Sequence, residues 1–249
     1  MPSFTLLSDS YERKARLTPM LIALAPGLLV ALAFTGIEVH WLQKYSGAAF
    51  IYGVLSLVLC FYSRQAGQAV EARLKAKWNG VMPSVVILRH RDDVLDAITK
   101  AKIHKAMAKV VAGSKAPTTE QEILNPTECD LTYRAWSEHL RIRARVDSSK
   151  FPHVFNENTH YGFMRNLRGL KPFALIVLIG CLGLSIGLFM LGGNDWNRIT
   201  PPAGLCWVTL VSLLLFWTFA VNDSRVERAA WNYARRLVDD CVPLHPTKT

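Results

Sequence analysis

Long uncharged apolar runs, separated by polar segments rich in charge, dominate the pattern of this chain. Four runs contain no charged residue, and each has the roughly 17–25 residues that a helix needs to cross the apolar core of a bilayer. Shorter apolar stretches are typical of the buried helices of soluble domains. We therefore predict four transmembrane helices, at Leu17–Ile37, Gly47–Ser63, Pro172–Gly193 and Ala203–Asn222.

The polar segments between and beyond these runs also show helical patterns. Thr99–Gly113 predicts a helix capped by Thr99, and Thr118–Gln121 or Thr119–Glu122 has the spacing of a capping box. The β-branched run after Ser84 fits either a short strand or the start of a helix. Apolar stripes indicate that the second span continues past the membrane through Ala66, Val70, Leu74 and Trp78, and that a further helix follows with Leu131, Ala135, Leu140 and Val146 on its apolar side.

Together these patterns predict an all-α membrane protein. Two transmembrane hairpins, in a 2 + 2 layout, flank a mostly helical module between helices two and three. That module is long enough for a small core of its own. The predicted segments are an N-terminal tail with the first hairpin (1–63), the helical module (64–171), the second hairpin (172–222) and a C-terminal tail (223–249).

Basic residues lie almost entirely on one side of the predicted helices. Of the 29 Lys and Arg residues, only Lys44 and Arg198 fall in the short loops Glu38–Ser46 and Asn194–Pro202, which leaves 27 on the other side. Basic residues are retained on the cytoplasmic side of short loops. We therefore predict that both termini and the helical module are cytoplasmic.

The same side carries the whole net charge of +10. A basic face beside a membrane attracts anionic lipid headgroups, by about 1 kcal/mol per juxtamembrane Lys or Arg. Binding of a nucleotide would be a more specific explanation of this charge, although the positive-inside bias already accounts for most of it. We expect anionic lipids as partners, keep a nucleotide or a cytoplasmic protein as a candidate ligand, and expect no specific nucleic acid.

The sequence contains no P-loop and no paired CxxC pattern. His153, Glu157 and His160 share one helix face and suit Zn²⁺ or Fe²⁺ chemically, but their spacing matches no known metalloprotease motif. A solvated polar face is the simpler interpretation. We predict no catalytic residue, no metal and no cofactor, and thus a protein that is not an enzyme.

The segment RHRDDVLD, at 89–96, contains the HRD tripeptide of the kinase catalytic loop. The sequence has no glycine-rich loop, VAIK-like strand or DFG motif, so the match carries no kinase assignment. We interpret the segment as a local charge cluster. In it, two arginines face nearby carboxylates, the residues being Arg89 and Arg91 against Asp92, Asp93 and Asp96.

The segment Asn156–Lys171 passes directly into the third apolar run and concentrates groups suited to binding. Its amides donate and accept hydrogen bonds, its rings can stack, and its guanidinium groups can hold phosphate or carboxylate. Gly162 and Gly169 are compatible with a close approach of another backbone, a break in the helix or a hinge. We predict a ligand-binding or coupling element, with an interfacial helix as the alternative. The candidate residues are Asn158, Tyr161, Phe163, Arg165, Asn166, Arg168 and Lys171.

Two stretches, WNGVMPSVVILRHRDDVLDAITKAKIHK and FPHVFNENTHYGFMRNLRGLKP, carry a resemblance. The chain resembles an uncharacterised group of bacterial four-helix inner-membrane proteins with an NxxYGFRRNLxGLKP motif, and here Asn79, Ser84 and Met164 depart from that group's pattern. The resemblance implies the bacterial inner membrane and gives no activity. The architecture is also similar to that of membrane effectors of anti-phage systems, which is an analogy of plan alone.

The small-residue face Gly183-x3-Gly187 suits close packing of helices, within one molecule or between copies. With the charge-free spans and the basic module, it favours a non-enzymatic inner-membrane protein that forms homo-oligomers. Such a protein would alter membrane permeability in response to a cytoplasmic signal, as an anti-phage effector does. The alternatives are a membrane anchor or scaffold that recruits a cytoplasmic partner and, with the least support, a membrane-surface enzyme.

Overall fold

Helices are the only regular elements in the described part of the chain, which confirms the all-α prediction. The structure, a computed structural model, describes residues 10–34, 46–193 and 199–243, and gives the backbone alone for residues 46–60. Most of the two predicted short loops, with Lys44 and Arg198, lies outside these residues. The described helices are α1 Ser10–Phe34, α2 Ser46–Lys77, α3 Pro83–Val86, α4 Ala97–Val110, α5 Thr119–Leu124, α6 Pro126–Val146, α7 Pro152–Leu191, α8 Pro201–Ala220 and α9 Asp223–Cys241.

Three of the described helices, α1, α7 and α8, are long and apolar enough to cross a membrane. They contain most of the predicted first, third and fourth spans. The predicted second span lies within α2, where the side chains of residues 46–60 fall outside the described part of the chain. The helical backbone there agrees with a fourth span, and the four-span layout stays a prediction.

The chain divides into two compact units. The first, here called the membrane unit, comprises Met1–Ala72 and Gly162–Val226. The second, the polar unit, comprises Arg73–Tyr161 and Glu227–Thr249. The unit boundaries fall within α2, α7 and α9. The division into four segments made from the sequence stays a prediction.

The membrane unit has its own apolar core, built by α1, α7 and α8. The outward faces of these helices also carry large aliphatic side chains, such as the exposed Ile176 and Leu205. Lipid covers such faces when the helices lie in a membrane. Trp207 reaches inward, where its Nε1 donates a hydrogen bond to Ser185 Oγ at 3.0 Å. The core residues include Met20, Ala23, Leu24, Leu167, Leu170, Ala174, Leu178, Leu210 and Trp217.

The polar unit forms a second core around α6, with α4 and the C-terminal helix α9 packed into it. Its centre is aromatic: the rings of Tyr133 and Trp136 lie 5.7 Å apart in an edge-to-face arrangement. Such pairs contribute about 0.5–1.5 kcal/mol beyond their buried area. The core residues include Val85, Ile87, Leu88, Ile103, Met107, Tyr133, Trp136, Leu140, Val154, Leu237, Val238 and Cys241.

Turns and caps follow the local sequence closely, with one correction. Asn79 and Gly80 both have positive φ, which ends α2 as the Asn-Gly pair predicts. The Thr118–Gln121 capping box is present at the start of α5. The predicted cap Thr99 is wrong, because the side chain of Asp96 accepts the hydrogen bond of the Thr99 N–H at 2.8 Å and caps α4. The β-branched run after Ser84 is helical over Pro83–Val86 and then turns.

The apolar face predicted for α6 is correct at Leu140 alone and wrong at its other three residues. Cys129, Tyr133, Trp136 and Leu140 face the core, whereas Leu131, Ala135 and Val146 are exposed. The helix carries two apolar stripes, and the aromatic one buries more surface, so it faces the core. The other stripe is exposed.

Candidate functional site: a polar collar in the membrane unit

All seven predicted site residues lie on the single helix α7, but they belong to different units. Asn158 and Tyr161 are in the polar unit, and the five residues from Phe163 to Lys171 are in the membrane unit. The backbone is helical from Pro152 to Leu191, so the break or hinge considered for Gly162 and Gly169 is not present. The two parts of the predicted site are therefore described separately.

Two arginines of α7 form ion pairs within the membrane unit. Arg165 Nη1 contacts the carboxylate of Glu71 on α2, and Arg168 Nε lies 2.8 Å from Asp223 Oδ1 at the start of α9. Both arginine side chains are mostly buried. Charge-assisted hydrogen bonds are about twice as strong as neutral ones. Each pair thus fixes α7 against another helix of the same unit.

Lys171 binds the end of α8. Its Nζ donates to the carbonyl oxygens of Thr218 and Val221 at 2.7 and 3.0 Å. The last carbonyls of a helix have no partner within the helix, and its C-terminus carries partial negative charge. A lysine ammonium satisfies both needs. The π-helical turn Phe216–Ala220 at this end of α8 brings these carbonyls within reach of one side chain.

Asn166 is fully buried, where α7 meets α1. Its Nδ2 donates to the carbonyl oxygen of Ala15 at 2.7 Å, and Ala15 lies in the π-helical turn Arg13–Leu17. Leaving a buried polar group unpaired costs about 1–3 kcal/mol, so this bond specifies which part of α1 packs here. Asn166 Oδ1 has no hydrogen-bond partner among the described residues.

Glycines bring α2 and α7 unusually close at the same level. A Cβ built on Gly169 would lie 2.5 Å from the backbone carbon of Ala66 and 2.7 Å from the nitrogen of Gly67. A Cβ on Gly67 would lie 1.9 Å from Asn166 Oδ1. Only glycine fits either position without a shift. The close backbone approach predicted for Gly169 is therefore confirmed.

The aromatic candidates serve packing. Phe163 is half-buried against the core of the membrane unit. In the polar unit, Tyr161 is buried and its ring is parallel to that of Tyr233, with centroids 6.4 Å apart. Asn158 is half-buried in the same unit. The buried ring of Tyr161 therefore presents no open face for stacking a ligand.

We call Glu71, Arg165, Asn166, Arg168, Lys171 and Asp223 the polar collar. It links α7 to α1, α2, α8 and α9, all within the membrane unit. Each guanidinium group of the collar is already paired with a carboxylate, Arg165 with Glu71 and Arg168 with Asp223. This arrangement favours coupling between helices over ligand binding at the collar.

Sequence reasoning missed the two carboxylates. Glu71 is the first acidic residue after the second apolar run, and Asp223 directly follows the fourth. Each is an isolated acidic residue among basic ones, near the end of a predicted span. Such a residue is a signal that its carboxylate pairs with an arginine of a neighbouring helix.

The polar unit contains a second buried cluster, around the RHRD segment. Arg89 binds Asp130 through two hydrogen bonds of 2.8 and 2.6 Å, and Arg91 Nε lies 3.6 Å from Glu122 Oε1. The predicted pairing with Asp92, Asp93 and Asp96 is wrong, since the carboxylates that bind come from α5 and α6. A bidentate pair of this kind fixes the orientation of the segment.

Glu122 lies at the centre of this cluster and is buried. Its carboxylate accepts hydrogen bonds from the Tyr133 hydroxyl at 2.7 Å and from the backbone N–H groups of His90 and Arg91 at 2.8 and 3.3 Å. Burial alone would raise the pKa of Glu122, but these donors and the Arg91 charge outweigh it and lower the pKa. Glu122 is therefore held ionised.

His104 is buried next to this cluster. Burial lowers the pKa of His104, and its Nε2 lies 2.7 Å from the carbonyl oxygen of Leu88. A neutral ring that donates through Nε2 fits both facts. The cluster thus holds the segment in place with every named donor matched to an acceptor, which is the arrangement of a structural network.

No group of three metal-ligating side chains occurs among the residues that the structure describes. His153 and His160 are exposed on α7, with Glu157 half-buried beside them. No family model, curated protein or solved structure matches the chain. The collar must therefore be interpreted from its own chemistry.

The collar predicts a specific charge-reversal result. Arg165→Glu places two carboxylates together and should lower the free energy of unfolding by roughly 1–3 kcal/mol. Glu71→Arg should do the same, and the double swap should recover most of the loss. The measurement is thermal unfolding of the purified chain in detergent.

Arg64→Glu is the matched control for this prediction. Arg64 is exposed on the same helix as Glu71, has no ion pair among the described residues, and its replacement changes the charge equally. Equal melting of Arg165→Glu and Arg64→Glu would show that the Glu71 pair contributes nothing.

Proposed function

We propose that the chain is a multi-pass protein of the bacterial inner membrane with four spans in two hairpins. The charge asymmetry of the sequence supports cytoplasmic termini and a cytoplasmic polar unit. The three apolar helices α1, α7 and α8 support the membrane location, and the helical backbone of α2 agrees with a fourth span. The resemblance to bacterial four-helix inner-membrane proteins supports the compartment.

We infer that its function is to change membrane permeability when the polar unit receives a cytoplasmic signal, as an oligomeric and non-enzymatic effector. One observation carries this inference: α2 and α7 each continue without a break from the polar unit into the membrane unit. We propose that a displacement of either helix in the polar unit is passed along the chain to the membrane unit. The polar collar would then pass it to α1, α8 and α9.

The signal is proposed to be a nucleotide or a cytoplasmic protein, and anionic lipids are proposed as constant partners of the basic face. The similarity of plan to anti-phage membrane effectors suggests infection as the source of the signal. The second candidate function is a membrane anchor that recruits a cytoplasmic partner and leaves the bilayer intact.

A leakage experiment separates these two functions. The chain is reconstituted in vesicles that contain anionic lipid and a self-quenched dye, and cytoplasmic extract is added as separate small-molecule and macromolecular fractions. We expect one fraction from infected cells to release the dye. Release by the small-molecule fraction would support a nucleotide, and release by the other a protein.

The variants already described provide the controls. Arg165→Glu should reduce the release and Arg64→Glu should not, because only the first disturbs the collar. If no fraction releases dye while a protein from the extract binds the vesicles, the anchor function replaces the effector function.

A further inference from the structure

One face of α6 is exposed to solvent and has apolar residues between two oppositely charged ends. Residues spaced alternately by three and four lie along one side of a helix. Leu131 is 62% exposed and Ile142 is 50% exposed, on the side away from the buried Tyr133 and Trp136. We call this face the α6 stripe; it consists of Glu128, Leu131, Ala135, Glu138, Ile142 and Arg145.

Exposed aliphatic side chains in a regular row are unusual on a polar surface. Val146, beside the stripe, is 76% exposed. Scattered apolar residues need no explanation, but Leu131, Ala135 and Ile142 share one face at heptad spacing, which is the pattern of a helix that packs against another helix. The core of the polar unit already uses the opposite side of α6. The stripe therefore serves a second contact.

The charges of the stripe are arranged by position. Glu128 lies in the first turn of α6 and Arg145 in the last, and neither has an ion pair among the described residues. Glu138, near the middle, is already paired with Arg141 at 2.7 Å on the same helix. The ends of the stripe are thus free to bind opposite charges, and the middle is neutral.

We propose that the α6 stripe binds the α6 stripe of a second copy of this chain, with the two helices antiparallel. A two-fold axis near the middle of the stripe places Glu128 against Arg145 of the other copy, twice, and Leu131 against Ile142, twice. Ala135 meets Glu138, which leaves room for the longer side chain. A parallel pair would instead place Glu128 on Glu128 and Arg145 on Arg145.

Other occupants fit the stripe less well. An anionic membrane surface would be repelled by Glu128, and two carboxylates are unusual on a helix face that lies on lipid. A surface that binds a different protein need not be complementary to itself, whereas a surface that binds a second copy must be, and the α6 stripe is self-complementary. The proposal rests on the proposed function in one respect, since it names the surface through which the effector oligomerises.

Charge reversal tests the pairing without touching the core. Full-length chain in detergent is compared by sedimentation at several protein concentrations. Glu128→Arg and Arg145→Glu should each weaken self-association, roughly threefold to thirtyfold, because each removes two exposed ion pairs from the dimer. The double variant should recover the affinity, since the pairs re-form with reversed sign.

The stability of α6 should not recover in the double variant, whereas self-association should, so stability serves as an internal check. Both reversals place the wrong charge at a helix end, so their effects on α6 should add in the double variant. Recovery of association therefore cannot come from recovery of folding. Lys102→Glu, on the exposed side of α4, changes the charge equally and should leave association unchanged. Wild-type association in both single variants would overturn the proposal, as would a double variant that does not recover.

Cross-linking tests the orientation. Copies with Leu131→Cys and copies with Ile142→Cys, mixed in one membrane, should form a disulfide between different copies, and neither variant alone should do so. The native thiols of the polar unit, Cys129 and Cys241, are buried, which raises the pKa of both, that of Cys241 to about 11, and keeps them unreactive.

Each remaining outcome counts against the proposal. A cross-link in Leu131→Cys alone would indicate a parallel pair, and labelling of this cysteine by a lipid-confined reagent with no cross-link would indicate the bilayer as occupant. Neither measurement depends on leakage. Intact cross-linking without dye release would therefore contradict the proposed function alone, and dye release without cross-linking would contradict this interface alone.

Discussion

Gly169→Ala is expected to destabilise the membrane unit strongly, although alanine is the better helix former. In an open helix this change would stabilise by about 1 kcal/mol. Here the new Cβ would meet the backbone carbon of Ala66 at 2.5 Å and its carbonyl oxygen at 2.7 Å. Backbone atoms cannot rotate away, so α2 and α7 must separate. Overpacking of this kind costs roughly 1–3 kcal/mol, and Gly169→Leu should cost more.

Gly183→Ala is a control on the same helix. A Cβ at Gly183 would have no atom of the described residues within 4 Å, so this substitution should leave the melting temperature unchanged or raise it slightly. The two variants share the chemical change and the helix and differ in the neighbour alone. Thermal unfolding in detergent, with the amount of protein in the membrane, measures both. Equal melting of the two variants would contradict the close crossing of α2 and α7.

The same substitution also bears on the proposed function. Separation of α2 from α7 would pull Glu71 away from Arg165 and loosen the collar. Gly169→Ala should therefore reduce signal-dependent leakage even at a temperature where the protein remains inserted. Gly67→Ala should also reduce leakage, because its Cβ would lie 1.9 Å from Asn166 Oδ1 and would force the side chain that binds Ala15 to move.

The parts of the fold that follow from local sequence could be predicted. A run of charge-free residues long enough for a bilayer predicts a helix by itself, because backbone groups in lipid must be paired within the segment. The Thr118 capping box and the left-handed turn at Asn79 and Gly80 depend on residues only a few positions apart. Both features are present, and the capping box is one of the two registers predicted from the sequence.

Contacts between distant residues could not be predicted in this way. Arg89 is 41 positions from Asp130, and Arg165 is 94 positions from Glu71. Nothing in the pattern near an arginine indicates which distant carboxylate it binds. The local acids Asp92 and Asp93 were the natural choice, and the structure places Asp130 on the guanidinium of Arg89 instead.

The face of α6 was mispredicted for a related reason. The helix has apolar residues on two sides, so its periodicity is compatible with either side facing the core. Packing decides between them, since Tyr133 and Trp136 bury more surface than Leu131 and Ala135. An ambiguous pattern of this kind is informative in itself, because a helix with two apolar faces needs two partners.

In the candidate site, the sequence predicted the residues and the structure supplies their partners. Arg165, Asn166, Arg168 and Lys171 all make polar contacts with other helices of the membrane unit. Whether these contacts respond to a signal stays a prediction. Because both arginines of the collar are paired with carboxylates of other helices, the expected role shifts from ligand binding to coupling.

Glu122→Gln is expected to destabilise the polar unit by about 3 kcal/mol, the cost of removing one partner from a buried charged network. Three donors converge on the Glu122 carboxylate, from the Tyr133 hydroxyl and the N–H groups of His90 and Arg91. A glutamine of the same size presents an amide NH₂ to one or more of these donors and leaves them unpaired. Glu120→Gln, exposed on the same helix, should cost almost nothing.

The Glu122 effect should also depend on pH in a definite direction. Because the folded pKa of Glu122 lies below its ordinary value of 4.5, its contribution is complete above pH 4.5 and is lost as the pH falls through the lower folded value. The difference between wild type and Glu122→Gln should therefore be largest near neutral pH and narrow in acid. The buried His104, whose pKa is also lowered, loses stability below pH 6.5 in both proteins, so its contribution largely cancels in this difference. Hydrogen exchange of α4 and α6 amides in the full-length chain measures the difference at each pH, after correction for the intrinsic exchange rate. A difference that stays constant from neutral to acidic pH would mean that the Glu122 charge does not stabilise the polar unit.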